Sequence, residues 1–169
     1  MSQRHEPLAR AVILACRARH LMLATAESCT GGKVAAALTD IVGASDVFER
    51  GFVTYSNTSK SEMLGVPEGI LERFGAVSSE TAFAMAEGAR QRAGTDIAVS
   101  ITGIAGPGGG SAEKPVGLVY FTCAGPGERL VDAEKHFTAP DRAEIRDLAT
   151  EHALKMLLEA AVGSGLILI

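Results

Sequence analysis

The chain has 169 residues, 47% of them hydrophobic, and a formal net charge of −4. That length and apolar content suit one packed domain over 1–169 rather than two. Mild acidity gives no general attraction to nucleic acid, so an anion would need a local basic site.

Cys16, Cys29 and Cys123 are odd in number and widely spaced, which suggests neither a disulfide framework nor a zinc motif. The N-terminal MSQRHEP is too polar for a signal peptide, and no apolar run approaches the roughly 20 residues that cross a bilayer. A reduced, cytoplasmic protein is therefore expected. The closing GSGLILI (163–169) reads as a tail, and its apolar character makes homo-oligomerisation the expectation.

Leu8, Val12, Ala15 and Cys16 share one face at helical spacing and predict a first helix. Leu21 to Ala26 reads as a buried strand. Gly31-Gly32 then turns the chain into a second, alanine-rich helix from Lys33 to about Ile41. Phe48 to Tyr55 reads as a second strand, and Ser59/Glu62 offers a capping box for a short helix after it. Pro67 and Gly75 bound a short turn, and Ser78 caps a helix running to about Ala93. Strands follow at Asp96–Thr102, Val116–Cys123 and Leu130–Phe137, and Pro140 opens a long helix to about Ala161. Early alternation with a late strand pair predicts an α/β sandwich on a largely parallel sheet with at least one antiparallel strand.

Two glycine-rich stretches invite functional readings. AESCTGGK (26–33) is not a P-loop, because Glu27 stands where the first glycine belongs and Val34 where Ser or Thr belongs. The run 103–117, GIAGPGGGSAEKPVG, leads into a strand, so it offers no helix N-terminus to a dinucleotide pyrophosphate. A loop of this length is uncommon unless functional. Ser28 stands at a strand end before Gly-Gly and a helix. That arrangement exposes a hydroxyl over backbone N–H groups and serves acyl transfer, although a serine there is more often only a helix cap.

TAESCTGG (25–32), GFVTYSNTSK (51–60), GAVSSETA (75–82), SITGIAGPGGG (100–110) and EKPVG (113–117) occur in one order. This set closely resembles the CinA C-terminal domain family of nicotinamide-nucleotide amidases, over about residues 8–160. The resemblance implies a three-layer α/β/α sandwich with a mixed, largely parallel sheet of about five strands. It implies deamidation of a small pyridine nucleotide, nicotinamide mononucleotide, without cofactor or metal. Carried over motif by motif, it makes Ser28 the nucleophile and Lys60 the base. Tyr55 would orient the lysine or pass a proton, or else be a strand-end tyrosine with a buried ring.

Lys60 acts as a base only when neutral, so its pKa must fall below the usual lysine value. Cys29 is a rival nucleophile or a small buried hydrophobe. Glu27 orders the loop or binds ribose, Thr30 caps the helix or binds substrate, and N–H groups around Cys29 to Gly31 hold the oxyanion. Thr102, Gly103 and Gly106 bring the glycine-rich loop to the substrate. Arg142 and Arg146, two cations where the dipole of the last helix disfavours them, are the candidates for its phosphate, Arg142 first. Glu144, Asp147, Glu151 and Lys155 mark the solvent face of that helix. The alternatives are a non-catalytic nucleotide-binding module of a competence or DNA-damage pathway, and a cysteine-dependent amidase.

Overall fold

The computed structural model describes residues 4–163. Strands β1 (Leu23–Glu27), β2 (Phe48–Val53), β3 (Ile97–Gly103), β4 (Leu118–Ala124) and β5 (Leu130–His136) form one sheet in the order β2-β1-β3-β4-β5. β1 pairs in parallel with β2 and β3, while β4 is antiparallel to both β3 and β5. Four strands thus share one direction and β4 opposes them, as the alternation of elements implies.

The pleat sorts side chains onto two unequal faces. Leu23, Ile97, Val99, Ile101, Val119 and Phe121 point to one face and pack under α1 (Glu6–Ala18), α2 (Lys33–Thr39) and α6 (Arg142–Val162). Ala24, Ala26 and Ala98 point to the other, under α5 (Ser79–Ala93), flanked by α3 (Asn57–Leu64) and α4 (Glu68–Phe74). Strands covered on both faces read as unbroken apolar runs, which is how β1 and β3 read. Small side chains on the second face let α5 lie close to the sheet.

Consecutive parallel strands send the chain to opposite faces: β1 leads to α2 on one side, β2 to α3 on the other. Such a switch point opens a crevice beyond the strand ends, where α/β sheets place ligands.

Several boundaries differ from expectation. The α3 cap is Ser56, not Ser59: Ser56 Oγ accepts from the Ser59 N–H at 3.0 Å, and Ser59 Oγ accepts from the Ser56 N–H at 3.1 Å. The helix therefore starts earlier and takes Lys60 into its first turn. The stretch between Pro67 and Gly75 is a helix, α4, rather than a turn. Ser78 caps α5 as expected, accepting from Thr81 N–H at 3.1 Å. Asp141 caps α6, leaving Pro140 just outside it. No helix among the described residues is long and apolar enough to cross a membrane. Of the GSGLILI tail, residues 164–169 lie outside the described residues.

Gly88 on α5 faces α3, and a Cβ there would overlap the Leu64 carbonyl. The obstacle is backbone, so the helices must separate. Gly88→Ala should cost about 1–3 kcal/mol and lower Tm by roughly 2–10 °C. Thermal unfolding by circular dichroism checks this, and an unchanged Tm would refute the close approach.

Candidate active site

Ser28 leaves β1 with its N–H still donating to the Ile101 carbonyl of β3 at 2.9 Å. The chain then doubles back, the Gly31 N–H donating to the Ser28 carbonyl at 3.0 Å. Gly31 sits at φ +58°, a left-handed conformation that favours glycine, and a Cβ there would come 3.1 Å from an Arg146 nitrogen. The bend favours glycine at that point, and its missing Cβ leaves room for the arginine.

Glu27 is fully buried, and its carboxylate accepts from the N–H groups of Val34 (2.9 Å) and Ala35 (3.0 Å) at the start of α2. An acid at a helix N-terminus satisfies orphan donors and complements the dipole. Both carboxylate oxygens are held by the backbone of the first turn of α2. Thr30 does not cap α2. Gly32 holds the cap position, and the buried Thr30 hydroxyl has no partner among the described residues. With Gly31 N–H used inside the turn, the expected oxyanion set narrows to the N–H groups of Cys29 and Thr30. Among the described residues, neither N–H donates to an oxygen.

Lys60 comes from the other side of the crevice, on α3. It is 1% exposed, among the largest fully buried side chains. Its Nζ donates to the Thr54 carbonyl at 2.8 Å and lies 3.1 Å from Ser28 Oγ. Burial pulls the lysine pKa below its ordinary value, with the nearby Cys29 sulfur pulling weakly the other way. The same burial pushes the Cys29 thiol up to about 11, so at neutral pH it is a protonated, buried hydrophobe. Thr54 is the contact that sequence reasoning missed, because a main-chain carbonyl leaves no mark in a sequence.

Tyr55 is 62% exposed, so its ring is not buried. Its hydroxyl accepts from an Arg142 Nη at 2.7 Å; the Thr54 carbonyl, not Tyr55, holds the lysine. Arg142 also donates to the Gly106 carbonyl at 2.8 Å, tying the glycine-rich loop to the strand end. Arg146 turns inward instead: Nε donates to the Cys29 carbonyl and Nη2 to the Thr30 carbonyl, both at 3.0 Å. The Thr102 hydroxyl donates to the Ala76 carbonyl at 2.6 Å, and Gly103 lies close against Val119 of β4. Both contacts lie at the root of the glycine-rich loop. The expected solvent face of α6 is partly covered: Glu144 and Glu151 meet Arg4, and Asp147 meets His5 and Lys33.

The fold and this crevice define an α/β/α domain that sets a serine hydroxyl against a buried lysine amine at a sheet switch point. The chain belongs to the CinA C-terminal domain family, whose model matches residues 5–161. It is 51% identical over 144 residues to the nicotinamide-nucleotide amidohydrolase PncC of Enterobacter agglomerans, covering 85% of this chain and 87% of that protein. It is 50% identical over 153 residues to a CinA-like protein of Akkermansia muciniphila; there the match takes in 90% of this chain but 37% of the relative. The crystal structure of competence/damage inducible protein CihA from Agrobacterium tumefaciens superposes with a TM-score of 0.92 at 48% identity, over 95% of this chain and 97% of that one. A CinA superfamily protein of Escherichia coli gives 0.88 at 37% identity, over 94% and 92%.

The buried lysine has a stability signature. Its folded-state pKa is depressed, so the unfolded chain binds the extra proton more readily. The penalty is fully present below the folded pKa and fades as pH rises from there towards the ordinary lysine value of about 10.4. Lys60→Met should therefore raise Tm at neutral pH, with the gap closing in alkaline buffer. A Lys60→Met variant no more stable than the parent at neutral pH contradicts the buried-charge account.

Proposed function

We propose that the chain hydrolyses the carboxamide of nicotinamide mononucleotide to nicotinic acid mononucleotide and ammonia. The observation that carries this reading is the 3.1 Å approach of a buried, partly desolvated Lys60 Nζ to Ser28 Oγ. In the neutral amine one N–H stays on the Thr54 carbonyl, and the lone pair faces the serine hydroxyl. Lys60 takes the proton as Ser28 Oγ attacks the carboxamide carbon. The oxygen that gains charge is held by the Cys29 and Thr30 N–H groups. The lysine ammonium returns its proton to the departing nitrogen, the C–N bond breaks and ammonia leaves. Water, deprotonated by the same lysine, then cleaves the acyl-enzyme and restores Ser28. No step uses a metal or a cofactor.

Arg142 takes the substrate phosphate. It stands at the start of α6, where the helix dipole also favours an anion, and it is exposed at the mouth of the crevice. The name of the Enterobacter relative supports the substrate, and the motif-by-motif likeness supports the residue roles.

Ammonia release from the nucleotide, run beside its riboside, tests the reading. Ser28→Ala should show no turnover above background while still binding the nucleotide. Lys60→Met should lose about 10²–10⁴-fold in kcat. Binding without ammonia release by the parent chain would favour the non-catalytic module instead. Cys29→Ala should keep most of the activity, given a thiol pushed up to about 11; its loss would reinstate the cysteine mechanism. The acid limb of kcat/KM should fall below the ordinary lysine range, following the lowered Lys60 pKa.

A further inference from the structure

We propose that Arg146 is a positioning residue for the oxyanion-binding turn rather than a ligand of the substrate phosphate. This rests on the reading of Ser28 as nucleophile. A guanidinium presents its donors in a fixed fork. Here Nε and Nη2 take the carbonyls of two consecutive residues, Cys29 and Thr30, each at 3.0 Å. Fixing those two carbonyls fixes the peptide planes that follow them, and the Thr30 N–H belongs to the plane that begins at the Cys29 carbonyl. The direction of a proposed oxyanion donor is thus set by an arginine on another helix.

Three further contacts agree. Gly31 leaves space for the fork, since a Cβ would come 3.1 Å from Arg146 Nη2. The next residue of α6, Asp147, pairs with Lys33 where α2 begins, so α6 grips the turn at two consecutive positions. From beneath, Glu27 holds the first N–H groups of α2, keeping them from competing for the charge on the substrate. Carbonyls are thus held by a cation on one side and amides by an anion on the other, and the N–H groups of Cys29 and Thr30 stay available.

Arg142 and Arg146 then divide the work, and substrate comparison separates them. The test uses the full chain with Arg146→Gln and the milder Arg146→Lys, assayed on the nucleotide and on its riboside. A second readout is the rate at which a small fluorophosphonate modifies Ser28, followed by mass spectrometry. Positioning predicts a kcat lower by about 10²-fold in Arg146→Gln, by the same factor on both substrates, with KM within about threefold. Arg146→Lys, able to hold one carbonyl, should fall between, and fluorophosphonate labelling should slow in the same order. A loss confined to the nucleotide and seen in KM would make Arg146 a phosphate ligand and overturn the proposal. So would an essentially unchanged kcat in both variants. If the parent chain neither releases ammonia nor labels at Ser28, the functional reading itself has failed, and that outcome is distinct from both others.

Discussion

A lysine amine held inside a protein, with a carbonyl on one side and a serine hydroxyl on the other, is the constraint around which this structure is organised. An ammonium in that position gives up most of its hydration and gains no carboxylate in exchange. The neutral amine sits there more readily, which is the form a base needs. Several local features exist to hold it. The Ser56–Ser59 capping box sets where α3 begins and hence which way Lys60 points. The end of β2 supplies the Thr54 carbonyl. The alanine-rich sheet face and Gly88 let α5 press close to the C-terminal end of α3 at Leu64.

Facing the lysine is a turn held by two charges of opposite sign, the buried Glu27 and the part-buried Arg146. Glu27 satisfies the N-terminal donors of α2, and Arg146 satisfies two carbonyls that point the other way. Neither side chain touches Ser28, yet together they decide which amides of the turn remain unsatisfied. Burial then separates neighbours in chemistry. Cys29, adjacent to the serine and intrinsically the stronger nucleophile, is kept protonated by burial, and burial also lowers the pKa of the lysine. Charges in this turn persist where backbone groups hold them, as at Glu27 and Arg146, whereas burial disfavours the ionised forms of Cys29 and Lys60.

Much of this was legible in the sequence, for identifiable reasons. Period and caps carry local information, so Ser78 and the run of β3 could be read directly. The mixed sheet followed from the late strand pair. The α3 start was misplaced because Ser56, Ser59 and Glu62 all sit at capping spacing, and only the tertiary requirement to bury Lys60 chooses among them. Thr54 acts through its carbonyl, and Glu27 through amides seven and eight residues on; side-chain identity reports neither. The two arginines were recognisable as oddly placed cations near a helix start. What they face depends on which loops the fold delivers to that end of α6, which one chain's periodicity does not encode.

The resulting division of α6 has a consequence for how charge is arranged across the crevice. Cations in the first turns of a helix are disfavoured by its dipole unless they meet negative partners. Arg146, half-buried, meets the Cys29 and Thr30 carbonyls. Arg142 meets one carbonyl and the Tyr55 hydroxyl at the surface. Tyr55 directly follows Thr54, whose carbonyl holds the catalytic amine in the proposed mechanism. Arg142 and Lys60 are thus joined by two successive residues of one strand end. A phosphate drawn to Arg142 would place negative charge against Tyr55, one peptide away from the lysine's anchor. In the proposed mechanism substrate anchoring and base orientation therefore rest on two adjacent residues, Thr54 and Tyr55.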